Sequence, residues 1–247
     1  MSEIEVSTDG GIRTIQLNRP KARNALSSDM QAGLVAALAA ADQDPTVRVV
    51  VLTGTDPAFC AGNDFTDLGQ FADRYANQFR TDPGRALRAM RTPVICAVNG
   101  ACVSGGLEIA LSASFIVASD RARFADTHAR LDVIATWGLS ALLPRAVGVR
   151  LAREMSITGR FLDATEALAR GLVNHVVPHE DLLPFTARLA ASVADTSAVR
   201  DVLALYARGE DLPLSGALSH ETATAFSRPL SPTAFAARGR DIVKDPT

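Results

Sequence analysis

The sequence predicts an α/β fold with a mostly parallel sheet and a helical C-terminal region, on three observations. Short apolar, β-branched runs recur at 47–53 (VRVVVLT), 94–98 (VICAV) and 115–118 (FIVA), as expected of strands buried on both faces. Stretches with helical spacing separate them, and alternation of strand and helix is the signature of a parallel sheet. From residue 139 onward strand signals nearly vanish, apart from LVNHVV at 172–177. A chain of 247 residues, 47% hydrophobic and 21% charged, is long enough for one sizeable domain with an appendage.

The elements follow in order. Residues 4–6 and 12–17 alternate apolar and polar around Asp9-Gly10-Gly11, which predicts a β-hairpin with one buried face. After Asn18-Arg19-Pro20, Ser27-Ser28-Asp29 offers helix caps, and Met30, Leu34, Leu38 and Ala41 mark one helical face. Further helices are expected near 68–80, 84–91 and 105–112. Segments 148–157, 163–170, 181–207 and 214–228 also read as helices, with a last short one after Pro229-Leu230-Ser231-Pro232.

Composition excludes several functions. With 25 Lys+Arg against 27 Asp+Glu the net charge is −2, so the chain lacks the positive field that nucleic acid or an anionic membrane surface requires. No apolar run reaches membrane-spanning length, and MSEIEVSTDG has no basic region leading into an apolar one. No nucleic-acid partner, no membrane insertion and a cytoplasmic location are therefore expected. Cys60, Cys96 and Cys102 are odd in number and lack a CxxC spacing, which suits buried thiols of a reducing compartment. No metal site and no nicotinamide or flavin fingerprint is read.

Two glycine-containing loops follow predicted strands: 58–64 (AFCAGND) and 99–108 (NGACVSGGLE). Small residues there let backbone N–H groups approach a ligand, and the start of a helix points such donors outward. Two N–H groups converging on one oxygen would form an oxyanion hole; each loop taken alone better suits a tight strand-to-helix turn. Glu108 lies three residues beyond Gly105, near enough to serve the same mouth as an acid or base, or else only to complement the helix dipole. Ser104 lacks a Gly-x-Ser-x-Gly setting, so a hydrolase nucleophile is not expected. The thiols of Cys60 and Cys102 flank the proposed hole in apolar surroundings, which makes them poor nucleophiles.

Taken together, an ordered set of motifs resembles the crotonase (enoyl-CoA hydratase/isomerase) family. They are NRP through NAL (18–26), AFCAGNDF (58–65), PVICAVNGACVSGGLEIAL (93–111), SFIVASDRARFA (114–125), LPRAVG (143–148), ITGR (157–160) and ARGLVNHVVP (169–178). The resemblance implies a crotonase-like (ββα)n spiral core at 1–185 that binds acyl-CoA. It implies a helical region at 186–247 for assembly as a homotrimer or dimer of trimers. It assigns the oxyanion N–H groups to Asn63 and Gly105 and a catalytic role to Glu108. Lys21, Arg23 and Ala25, with Ala61 and Asp64, match the stretches around the CoA moiety, although Asp64 equally suits a structural turn. Phe65, Leu68 and Trp137 are expected to line the acyl pocket. The thioester is the substrate, and no other cofactor is implied.

One departure stands out. The family's second catalytic glutamate falls twenty residues after Glu108, where this chain has His128, and the glycine-rich stretch that follows is replaced by Ala135-Thr136-Trp137-Gly138-Leu139. His128 is open to three readings: a substitute acid/base group, a shaper of the acyl pocket, or a surface histidine. Asp132 is a backup carboxylate or a solvated loop residue; His175 and His179 are expected to be structural. The default reaction implied is syn addition of water to a 2-enoyl-CoA. Isomerisation, thioester hydrolysis, decarboxylation or binding without turnover are the alternatives.

Overall fold

The computed structural model describes residues 2–64 and 81–229, and beyond them residues 231, 233, 235, 236 and 238. Phe65 and Leu68, and the helix expected at 68–80, lie outside the described residues. The chain forms two compact units, Met1–Val199 and Arg200–Thr247.

In the first unit, β1 (Ile4–Asp9) and β2 (Ile12–Leu17) form the expected antiparallel hairpin. Helix α1 (Ser28–Gln43) starts where the Ser27 hydroxyl accepts the Met30 N–H at 3.0 Å, and it buries the four expected residues Met30, Leu34, Leu38 and Ala41. Then come β3 (Val49–Gly54), β4 (Ala58–Cys60), α2 (Pro83–Arg88), β5 (Val94–Val98), β6 (Ala101–Val103), α3 (Gly105–Leu111), β7 (Phe115–Ser119) and β8 (Arg123–Ala125). Helices α4 (Leu139–Val147) and α5 (Val149–Thr158) lead to β9 (Phe161–Asp163), α6 (Ala164–Ala169), β10 (His175–Val177) and α7 (Leu182–Ala191).

The strands sort into two sheets, ordered β1-β2-β3-β5-β7-β10 and β4-β6-β8-β9. All neighbours are parallel except β1 with β2 and β8 with β9. Each turn of the chain thus gives one strand to the larger sheet and the next to the smaller: β3 then β4, β5 then β6, β7 then β8. This is the spiral that the sequence resemblance implied.

The local sequence pattern does not display the strands of the second sheet. Three-residue strands at 58–60, 101–103 and 123–125 are too short to show a period, and two of them fall inside segments read as loops. Helix α4 holds Pro144 inside it, and its sequence pattern does not predict it.

The larger sheet explains the apolar runs. Val50, Leu52, Val94, Cys96, Val98, Ile116 and Ala118 face one cluster shared with α1 and α3. Val49, Val51, Ile95, Ala97 and Val117 face the other, covered by Leu182 and Ala190 of α7. A strand buried on both sides needs apolar residues at every position. The boundary expected at 185/186 therefore falls inside α7, which belongs to the first unit.

The helix expected over 181–207 is two, α7 and α8 (Ser197–Gly209), separated at 192–196 (SVADT). In the second unit α9 (Leu214–Ser227) carries exposed Leu214, Leu218 and Phe226, and Arg228 pairs with Asp201 of α8. Among the described residues no helix is long and apolar enough to cross a membrane.

Candidate active site

Two strand ends of the smaller sheet bring the glycine loops together. After β4 the chain bridges to Leu26: the Leu26 N–H donates to Gly62 C=O at 2.8 Å, and the Asp64 N–H to Leu26 C=O at 3.1 Å. The bridge uses the groups on either side of Asn63 and leaves the Asn63 N–H out of it. After β6, Ser104 takes a left-handed turn (φ 48°, ψ −108°) into α3, so the Gly105 N–H stands at the first helical position with no intrahelical acceptor.

The two loops touch. A methyl carbon on Gly105 would lie 3.7 Å from the Asn63 nitrogen and 3.6 Å from Gly62 Cα. Gly106 is pressed harder: a methyl there would sit 2.4 Å from the Cys60 carbonyl, so only glycine lets α3 start against β4. Asn63 and Gly105 thus present neighbouring main-chain N–H groups, and neither has an acceptor among the described residues.

The segment at 19–26 is tied to the first loop. Asn24, fully buried, holds it: its Oδ1 accepts the Arg19 N–H at 2.9 Å, and its Nδ2 donates to Thr55 C=O at 2.8 Å and Ala58 C=O at 2.6 Å. The Ala61 N–H donates to Arg23 C=O at 3.1 Å. Asp64 forms an ion pair with Arg19 at 2.8 Å, a structural engagement at the end of the first loop. Lys21 and Arg23 are exposed.

Glu108, on α3, is 1% exposed. Its Oε1 accepts the Trp137 N–H at 2.6 Å and the Leu139 N–H at 3.4 Å, and its Oε2 lies 3.7 Å from His128 Nε2. Burial pushes the carboxyl above its ordinary range, against the opposing pull of the Trp137 N–H and the His128 ring.

His128 is a half-buried cleft residue and not a surface histidine. Its ring Nδ1 lies 2.7 Å from Asp126 Oδ1, which also accepts the His128 main-chain N–H at 3.1 Å. Asp126, 3% exposed, is raised by burial but pulled below its ordinary range on balance by hydrogen bonds from His128 and Ser156. The cleft is lined by Ala61, Gly62, Asn63, Ser104, Thr127, His128, Leu131 and Val133.

Trp137 is 5% exposed, and its ring edge would meet a methyl on Gly105 at 3.2 Å. It roofs the glycine and, among the described residues, does not line the cleft. Its carbonyl accepts from Arg88 at 2.6 Å, so the loop is held at both its N–H and its C=O.

Asp132 is exposed at the end of a 3-10 turn. His175 packs on Phe185 with ring centroids 5.2 Å apart. The three cysteines are buried; burial pushes Cys60 up to about 12 and raises Cys96 and Cys102. Among the described residues no cluster of three His, Cys, Asp or Glu side chains is placed to hold a metal.

Sequence reasoning missed Asp126 and Thr127. The available signal was an Asp two residues before His128, the spacing at which an aspartate accepts the N–H of a turn.

Comparison with known proteins decides the family: a model described as enoyl-CoA hydratase/isomerase matches residues 7–224. The chain belongs to the enoyl-CoA hydratase/isomerase family. It is 39% identical over 184 residues to the Arabidopsis thaliana protein named "Probable enoyl-CoA hydratase 1, peroxisomal", covering 74% of this chain and 69% of that one. It is 34% identical to a crotonyl-CoA hydratase of Syntrophomonas wolfei, covering 87% and 85%. A crystal structure of an enoyl-CoA hydratase from Mycobacterium smegmatis superimposes with TM-score 0.78 at 45% identity, covering 92% of this chain and 98% of that one. As a family member the chain is an enzyme of the crotonase type, with the spiral fold described above.

Proposed function

We propose that this enzyme adds water across the double bond of a 2-enoyl-CoA. The observation that carries the reading is the convergence of Glu108 and His128, 3.7 Å apart, beside the paired N–H groups of Asn63 and Gly105. The relatives' names support hydration as the reaction.

The two N–H groups hold the thioester oxygen. As the hydroxyl adds to the β-carbon, the electron pair of the double bond moves through the α-carbon onto that oxygen, giving an enolate. A preorganised donor of this kind stabilises the transition state by about 3–4 kcal/mol. Glu108 takes the proton from water and His128, as imidazolium, gives one to the α-carbon. Atoms 3.7 Å apart are near enough for one water to bond to both.

Exposed Lys21 and Arg23 support a role in meeting the CoA phosphates, next to Ala25 and the Ala61 loop to which they are tied. The exposed Leu214, Leu218 and Phe226 of α9 support assembly through the C-terminal helices, as a trimer or a dimer of trimers. Sedimentation velocity tests that part. A cytoplasmic location belongs to the same proposal.

The replacement of a glutamate by His128 favours one second reading, isomerisation, in which a single group moves a proton between carbons. Mass spectrometry separates the two: hydration adds one water to the thioester, whereas isomerisation leaves the mass unchanged. Hydration predicts loss of enoyl absorbance together with the added mass.

A further inference from the structure

We infer that Asp126 is a positioning residue that fixes the tautomer of His128, so that the transferable proton is carried on Nε2, facing Glu108. The inference rests on the hydratase reading for its place in the reaction, but its structural part stands on hydrogen-bond accounting alone.

Asp126 Oδ1 receives two contacts from one residue, the main-chain N–H of His128 at 3.1 Å and the ring Nδ1 at 2.7 Å. An ionised carboxylate can only accept, so Nδ1 must carry a hydrogen. With Nδ1 committed, the ring exchanges its second proton through Nε2 alone. That nitrogen lies 3.7 Å from Glu108 Oε2, and the ring borders the cleft. The main-chain bond fixes the turn, and the ring bond fixes the imidazole plane. A carboxylate that orients an imidazole in this way does no chemistry itself.

The arrangement closes a proton cycle. Glu108 begins as carboxylate and His128 as imidazolium. Water loses a proton to Glu108 as its oxygen bonds to the β-carbon, and the Nε2 proton goes to the α-carbon. The site is then left with a carboxylic acid facing a neutral imidazole whose Nε2 has a free lone pair. Transfer of the Glu108 proton to Nε2 restores both starting forms. One water has been added, with no net change in the enzyme. A histidine can thus stand where a second carboxylate would, because the neighbouring aspartate supplies the negative charge and the orientation.

The test uses full-length protein labelled with ¹⁵N-histidine, whose four imidazoles are few enough to resolve. His128 is assigned by the signal lost in His128→Gln. Two-bond proton–nitrogen correlation spectra then read its tautomer in the neutral form without any turnover. The wild type is expected to show a protonated Nδ1. Asp126→Ala is expected to lose that fixed preference, because no side-chain oxygen then accepts from Nδ1. The variant should lose kcat by roughly a hundredfold to ten-thousandfold while KM for the enoyl-CoA changes little. Asp126→Ser, whose shorter side chain no longer brings an oxygen to Nδ1, gives a second readout should the alanine variant not fold. It should likewise lose the fixed Nδ1–H tautomer and kcat. An unchanged tautomer in a folded variant, or unchanged kcat, overturns the inference. If the fixed tautomer is lost in the variant as expected but wild type turns over no 2-enoyl-CoA, the positioning stands and the hydratase reading falls.

Discussion

The main-chain N–H of Trp137 donates to Glu108 Oε1 at 2.6 Å, while the indole edge of the same residue stands over Gly105. One loop residue therefore orients the carboxylate and covers Gly105. Because the bond comes from the main chain, a change of side chain keeps it. Trp137→Phe should keep turnover within about tenfold, since Glu108 stays oriented. Trp137→Ala removes a ring that is 5% exposed and should cost about 3–5 kcal/mol of stability. Urea unfolding of the two variants checks the order.

The two glycines of α3 should respond differently to alanine. At Gly106 a methyl would meet the Cys60 carbonyl at 2.4 Å, backbone against backbone, and Gly106→Ala should not yield folded protein. At Gly105 the nearest atom is the end of the Trp137 ring at 3.2 Å, followed by Gly62 Cα at 3.6 Å and the Asn63 nitrogen at 3.7 Å. Gly105→Ala should fold, yet crowd the space where the oxyanion would sit. Its kcat/KM should fall at least about a hundredfold, with a melting temperature close to wild type.

Glu108 sets function against stability. Burial raises its pKa in the folded chain, so the native state holds the proton more tightly than the unfolded state does. The stabilisation this gives is complete below the unfolded carboxylate value and is lost as pH rises through the raised one. Glu108→Gln keeps an acceptor for the Trp137 and Leu139 N–H groups without the buried charge. Thermal melts should find the variant at least as stable as wild type at pH 8, with its advantage shrinking towards pH 4. A melting temperature several degrees lower at pH 8 would count against this account of the carboxyl.

A Ser, His and Asp set lies away from the cleft. His179 Nδ1 is 3.0 Å from Ser119 Oγ, and its Nε2 is 3.1 Å from Asp56 Oδ2. Ser119 is fully buried and accepts the Arg121 N–H at 3.0 Å, so its hydroxyl is a pin between loops and not a nucleophile. His179→Ala should cost about 0.5–1.5 kcal/mol through the lost hydrogen bond to Ser119, whose hydroxyl keeps Asp120 and Arg121 as partners, with kcat unchanged. Parallel melts and kinetics decide it.

Legibility in the sequence followed the length and period of each element. Met30, Leu34, Leu38 and Ala41 repeat over about three turns, and all four are buried as their spacing predicts. Val49 to Leu52 and Ile95 to Val98 are apolar at every position because both faces of their sheet are covered, which also explains α7. The second sheet escaped notice because its strands are three residues long and stand on the functional loops. Of the site, Asn63, Gly105, Glu108 and His128 came from the family resemblance and are brought together. Asp126 did not, since its role depends on a ring orientation that no spacing alone displays. Phe65 and Leu68 lie outside the described residues.

The central claim is hydration by Glu108 and His128 at a shared oxyanion hole. The most direct measurement follows loss of enoyl absorbance on mixing purified protein with short- and long-chain 2-enoyl-CoAs, with Glu108→Gln and His128→Ala alongside. The account predicts rapid loss with wild type, a product heavier by one water, and rates lower by at least about a hundredfold in both variants despite retained thioester binding. Wild-type protein that binds the thioester but leaves the absorbance unchanged, or a His128→Ala variant as fast as wild type, would contradict it.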